Sequence, residues 1–108
     1  MKIKIILIIL AGLLIGCSDF NTEPVITSLT ADNTTVSLDG TVLLTCTAED
    51  DDDDSLTYIW ECTNGSHAPN GNTATWTAPG SPGTYSISCA VTDGNDGSTM
   101  DIIDITVL

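Results

Sequence analysis

Glu49 and Asp50 to Asp54 form an unbroken run of carboxylates, and Asp93-Gly94-Asn95-Asp96-Gly97 adds two more in a glycine-rich string. Carboxylates, Asn side chains and backbone carbonyls are hard oxygen ligands suited to Ca²⁺. The candidate ligands are Asp50, Asp52, Asp54, Asp93 and Asp96. The Asp-x-Asp-x-Asp-Gly…Glu spacing of an EF-hand is not present. A solvated acidic loop that aids solubility is the alternative reading. The remaining reactive groups are Cys17, Cys46, Cys62, Cys89 and one histidine, His67. Cys62 and His67 have the right types for a zinc or copper site. Asn64-Gly65 between them reads as a turn, which predicts that His67 is carried off into a solvated loop.

These residue types exclude much chemistry. The chain has 108 residues, with fifteen Asp plus Glu against two Lys plus Arg. Those two are Lys2 and Lys4, so the rest of the chain has no basic residue but His67. Nucleic acid is excluded as a partner, because phosphate contacts need cationic side chains. Schiff-base lysines, arginine fingers and P-loop lysines are excluded by type. Ser66 beside His67 is adjacency in a turn and not a dyad. Paired carboxylates hydrolyse glycosides only across a cleft, and a domain of this size has little room for one. The expectation is a non-enzyme with no resident cofactor, Ca²⁺ excepted. Only cations or a basic partner can offset the charge.

The first residues read as an address. Met1-Lys2-Ile3-Lys4 is a short positive segment, residues 5–15 are almost wholly apolar, and Gly16 precedes Cys17. This is the layout of a secretory signal. The run is shorter than the roughly 20 residues of a membrane span. Leu14-Ile15-Gly16-Cys17 resembles the lipobox of bacterial lipoproteins. That resemblance implies cleavage after residue 16 and fatty acylation of Cys17, so that the chain is held to a membrane through its N-terminal lipid. Ser18 after the cysteine, by the same likeness, points to the outer membrane. Residues 17–23 are then a lipidated cysteine and a polar tether.

The elements that must position the carboxylates and thiols lie in residues 24–108. Turn signals recur every eight to fifteen positions among Thr, Val, Ile and Ser, with no helical period. This predicts an all-β sandwich of about seven strands. Strands are expected at 25–30 (continuing at 34–38 after a break), 42–48, 56–62, 73–78, 84–92 and 99–107. Val42, Leu44, Cys46 and Ala48 share one parity, as do Tyr58, Trp60 and Cys62, then Ala74, Trp76 and Ala78, then Tyr85, Ile87, Cys89 and Val91. Those faces are the candidate core. Ile102-Ile103 interrupts the last alternation and predicts a bulge.

The order Gly40-x-Val42-x-Leu44-x-Cys46-x-Ala48, an acidic loop, Leu56-Thr57-Tyr58-Ile59-Trp60, Trp76-Thr77-Ala78-Pro79, Pro82-Gly83-Thr84-Tyr85 and Val91-Thr92-Asp93-Gly94 resembles bacterial immunoglobulin-like domains. The nearest type is the polycystic-kidney-disease (PKD) domain, with related cadherin-like repeats. Glu61-Cys62-Thr63-Asn64-Gly65-Ser66 stands where that type carries an Asp-Phe-Gly-Asp-Gly-like string. The likeness implies an immunoglobulin-like topology in which the loops at 49–54 and 93–97 share one pole, with the tether emerging there too. It also sets Cys46 and Cys89 on facing strands with Trp60 between them in sequence. Cys46–Cys89 is the favoured disulfide and Cys62–Cys89 the rival. The remaining thiol, Cys62 in the first case, is a core residue or a site for intermolecular pairing.

The function expected is that of a membrane-anchored surface lipoprotein whose single module serves binding, adhesion or spacing. One alternative is carbohydrate binding, which needs exposed Trp60 or Trp76. Another is an acidic Ca²⁺-binding subunit of an envelope assembly, docking a basic protein partner.

Overall fold

The computed structural model describes residues 22–52 and 54–108. The expected signal segment, Cys17 and most of the expected tether therefore lie outside the described residues. The described chain folds into eight strands: β1 (Val25–Ala31), β2 (Thr35–Val36), β3 (Thr41–Glu49), β4 (Thr57–Cys62), β5 (Ser66–Asn70), β6 (Thr73–Thr77), β7 (Gly83–Thr92) and β8 (Ser98–Val107). They form two four-stranded sheets, ordered β1-β3-β6-β5 and β2-β8-β7-β4. This is an immunoglobulin-like β-sandwich.

Alternation builds the core. Val42, Leu44 and Cys46 of β3 and Ala74 and Trp76 of β6 face Trp60, Ile87, Cys89, Val91, Ile105 and Val107 of the other sheet, all of them buried. The registers pair large with small. Trp76 lies opposite Val42 and Ala74 opposite Leu44, while Trp60 lies opposite Cys89. Such pairing sets bulky and smaller side chains beside one another on the inner face of each sheet. Both tryptophans are core residues, at 4% exposure for Trp60 and 0% for Trp76. Neither presents a face to a sugar.

The first strand does not simply continue after its break. β2 leaves the first sheet and pairs in parallel with β8, Thr35↔Thr106 and Val36↔Val107. Asp32 ends the β1–β3 ladder, its backbone N–H donating to Leu43 O at 3.0 Å and its Oδ1 accepting from Leu43 N at 3.0 Å. Two residues later the Thr34 carbonyl accepts from Thr106 N in the opposite sheet.

The bulge is also elsewhere. The β7–β8 register runs without a shift from Gly83↔Val107 to Thr92↔Ser98. Ile103 turns inward, and Ile102 stands 54% exposed on the outer face. An apolar residue on a solvated face misled the parity argument. The register shift falls in β1 between Ile26 and Ser28. There the Thr27 hydroxyl donates to Thr47 O at 3.1 Å.

Residues 64–71 hold more than two turns. Gly65 and Gly71 do turn the chain, at φ 83° and 62°, but Ser66–Asn70 between them is an edge strand on β6. All five of its residues are exposed, so no apolar alternation marked it. Gly65 is required there. A Cβ would collide with the Thr77 carbonyl and come within 2.9 Å of Trp76 Nε1. Left-handed backbone alone costs a side chain about 1–2 kcal/mol. Gly65→Ala is expected to lower stability by about 2 kcal/mol in urea unfolding, whereas Gly71→Ala, with open space around its Cβ, should cost less.

Candidate metal centre

Two loops converge at one pole. β3 ends at Glu49, and Asp50 follows. Its Oδ1 accepts the Asp52 N–H at 2.7 Å, which tightens the turn leading to Asp54. β4 and β7 are antiparallel with Thr57 opposite Thr92, so the residues just before β4 meet those just after β7. Asp93 follows β7 directly and organises the second loop. Its N–H donates to Gly97 O at 3.1 Å. Its Oδ1 accepts from Asn95 N at 2.7 Å and Gly97 N at 2.9 Å.

Asp50, Asp54 and Asp93 each bring one carboxylate oxygen within 4.8 Å of the others. Asp93 is only 3% exposed, and the other two are half-buried. Oδ2 of Asp50 and Oδ2 of Asp54 are buried with no hydrogen-bond partner. An unmatched buried acceptor is costly, more so when charged. Burial pushes the Asp50 carboxyl above its ordinary range, and the charges of Asp54 and Asp93 push it further. Like charges about 4 Å apart near a surface repel by about 4 kcal/mol at an effective dielectric of about 20. A hydrogen bond from the Asp54 backbone offsets part of this for Asp50, and a proton shared with Asp93 or a bound cation would relieve the rest.

The donor set fits a hard cation. Ca²⁺ takes 6–8 oxygens at about 2.3–2.6 Å, so ligands on opposite sides of one ion stand about 5 Å apart. Three carboxylates leave positions for carbonyls or water. The expected ligand set is thus narrowed. Asp52 stands outside the trio and its Oδ2 accepts the Thr22 N–H at 2.7 Å. Asp96 is an exposed turn residue at φ 70°, also outside it. Asp53 lies outside the described residues. Sequence reasoning did not foresee the Thr22 contact, which no local pattern signals.

The thiols fall into two groups. Cys46 and Cys89 face each other across the core, within hydrogen-bonding reach, and all three described cysteines carry free thiols. Burial pushes the Cys89 thiol up to about 12, with Cys46 adding to the rise, and burial raises Cys46 as well. Cys62 is half-buried on the inward parity of β4. The turn at Asn64-Gly65 does not remove His67. It folds the histidine back on β5, with Nδ1 3.3 Å from Cys62 Sγ.

A family model described as K319L-like, PKD domain, matches residues 30–107. The chain belongs to this PKD family. The match runs through the departing string at 61–66, so that departure is a variation within the family. No curated protein matches the chain. The acidic pole lies at one end of the PKD domain, where β1 also begins, with Val25 opposite Glu49.

Proposed function

We propose that this chain is a membrane-anchored surface lipoprotein whose one PKD domain is a non-enzymatic module for binding, adhesion or spacing, with Ca²⁺ held at its acidic pole by Asp50, Asp54 and Asp93. The observation that carries the calcium reading is the pair of buried, partnerless oxygens on Asp50 and Asp54 beside a third buried carboxylate. The anchor rests on Leu14-Ile15-Gly16-Cys17 after an apolar segment. Two or three acyl chains hold firmly where one does not, at about 0.8 kcal/mol per buried methylene.

The two parts act together. Asp52 holds Thr22, five residues past Cys17, which supports an acidic pole at the anchored end of the domain. Five extended residues reach at most about 17 Å. That distance is about two Debye lengths at physiological salt. Anionic headgroups would repel the bare pole at close approach, and Ca²⁺ between them converts repulsion into a bridge. In an exported protein Cys46 and Cys89 are the pair poised to form a disulfide, which would add about 3–4 kcal/mol.

Mass spectrometry of the protein extracted from membranes with detergent tests the anchor. The expected species begins at an acylated Cys17 and lacks residues 1–16. Cys17→Ser is expected to abolish the lipid mass and release the domain from the membrane fraction. A wild-type protein that keeps residues 1–16 and carries no acyl group would end this reading.

A further inference from the structure

Cys62 differs from the core thiols in its neighbours and its access. It ends β4, an edge strand of one sheet, while His67 lies on β5, the edge strand of the other. The thiol thus sits where the two sheet edges meet, half-buried, beside an exposed imidazole. Nδ1 is 3.3 Å from Sγ, and the Gly65 carbonyl is 4.0 Å from the same sulfur. The turn that forces this approach is held independently, since the Trp76 indole N–H donates to the Asn64 carbonyl at 2.9 Å. Cys46 and Cys89 are fully buried and offer a reagent no path.

We infer that Cys62 and His67 form a reactive thiol–imidazole pair, a modification site that takes low-molecular-weight disulfides. A base in hydrogen-bond contact with a thiol is the arrangement that activates it as a nucleophile. As Sγ attacks one sulfur of a disulfide, its proton passes to Nδ1. The new Sγ–S bond forms as the old S–S bond breaks. The departing thiolate takes a proton back from the imidazolium and leaves as a free thiol. The disulfide is the oxidant, and one thiol is released per adduct. The anionic surface disfavours acidic disulfides, so neutral or cationic ones are the preferred reagents. This site is independent of both the lipid and the calcium.

The test uses the full chain carrying Cys17→Ser and the neutral reagent 4,4′-dithiodipyridine at pH 7. One thiol per native chain is expected to react, with the adduct in the chymotryptic peptide between Trp60 and Trp76. His67→Ala is expected to slow the reaction about fivefold to tenfold, with an unchanged circular dichroism spectrum. Free imidazole added to that variant should restore part of the rate, which a structural role for His67 would not produce. Equal rates for wild type and His67→Ala, or an adduct at Cys46 or Cys89 ahead of Cys62, would overturn the inference.

Discussion

Trp76→Ala is expected to cost about 3–5 kcal/mol, the largest effect of any single substitution in this domain. Trp76 is the largest fully buried side chain. Its ring lies 6.1 Å from that of Tyr85, at 45°, and its register partner is Val42. Truncation removes this packing and also orphans the Asn64 carbonyl. Domains of this size have total stabilities near 5–10 kcal/mol, so the variant would be near its limit. Each kcal/mol corresponds to about 4–8 °C in Tm. Urea unfolding followed by the fluorescence of the remaining Trp60 measures it. Trp76→Phe keeps a ring but loses the N–H, and should cost less than the alanine. A loss under about 1 kcal/mol for Trp76→Ala would mean that the core does not depend on this contact.

Calcium is expected to raise the melting temperature by about 6–20 °C. Ca²⁺ sites in extracellular modules bind with Kd near 10⁻⁴–10⁻³ M, and this pole is expected in that range. About 10 mM Ca²⁺ is then tenfold to a hundredfold in excess, a stabilisation of about 1.4–2.7 kcal/mol. Asp54→Asn should remove most of the shift, because it replaces one of the three charged ligands. Calorimetric titration of wild type that gives no heat, with no thermal shift, rejects the site. The pH behaviour follows from Asp50, whose carboxyl burial and the neighbouring Asp54 and Asp93 charges push above its ordinary value in the folded protein. The folded state therefore holds this proton more tightly than the unfolded chain. That stabilisation is complete below the ordinary carboxylate value and is lost as pH rises through the folded value. In a chelator, wild type should lose stability relative to Asp50→Asn as pH rises above the ordinary carboxylate range. With Ca²⁺ the dependence reverses, since the metal needs the ionised carboxyls.

The core was legible because burial leaves a pattern. Val42, Leu44, Cys46, Trp76, Ile87 and Cys89 were all readable by parity, and all are buried. What burial does not mark was not readable. β5 is wholly exposed and has only its two flanking turns as a signal. β2 is two residues long, with only Val36 packed against the core, too short for alternation to mark its change of sheet. At the acidic pole, residue type and topology indicated the neighbourhood. Which carboxylates converge depends on loop hydrogen bonds such as Asp52 N to Asp50 and Asn95 N to Asp93. The Cys62–His67 contact was hidden for the same reason as β5, since only that strand returns the imidazole to the thiol.

The parallel join between β2 and β8 governs how the module responds to mechanical load. A pull between residue 22 and residue 108 slides the two strands lengthwise. Thr106 N to Thr34 O and Leu108 N to Val36 O are then strained together rather than unzipped one by one. A domain loaded along this axis would resist through that short clamp.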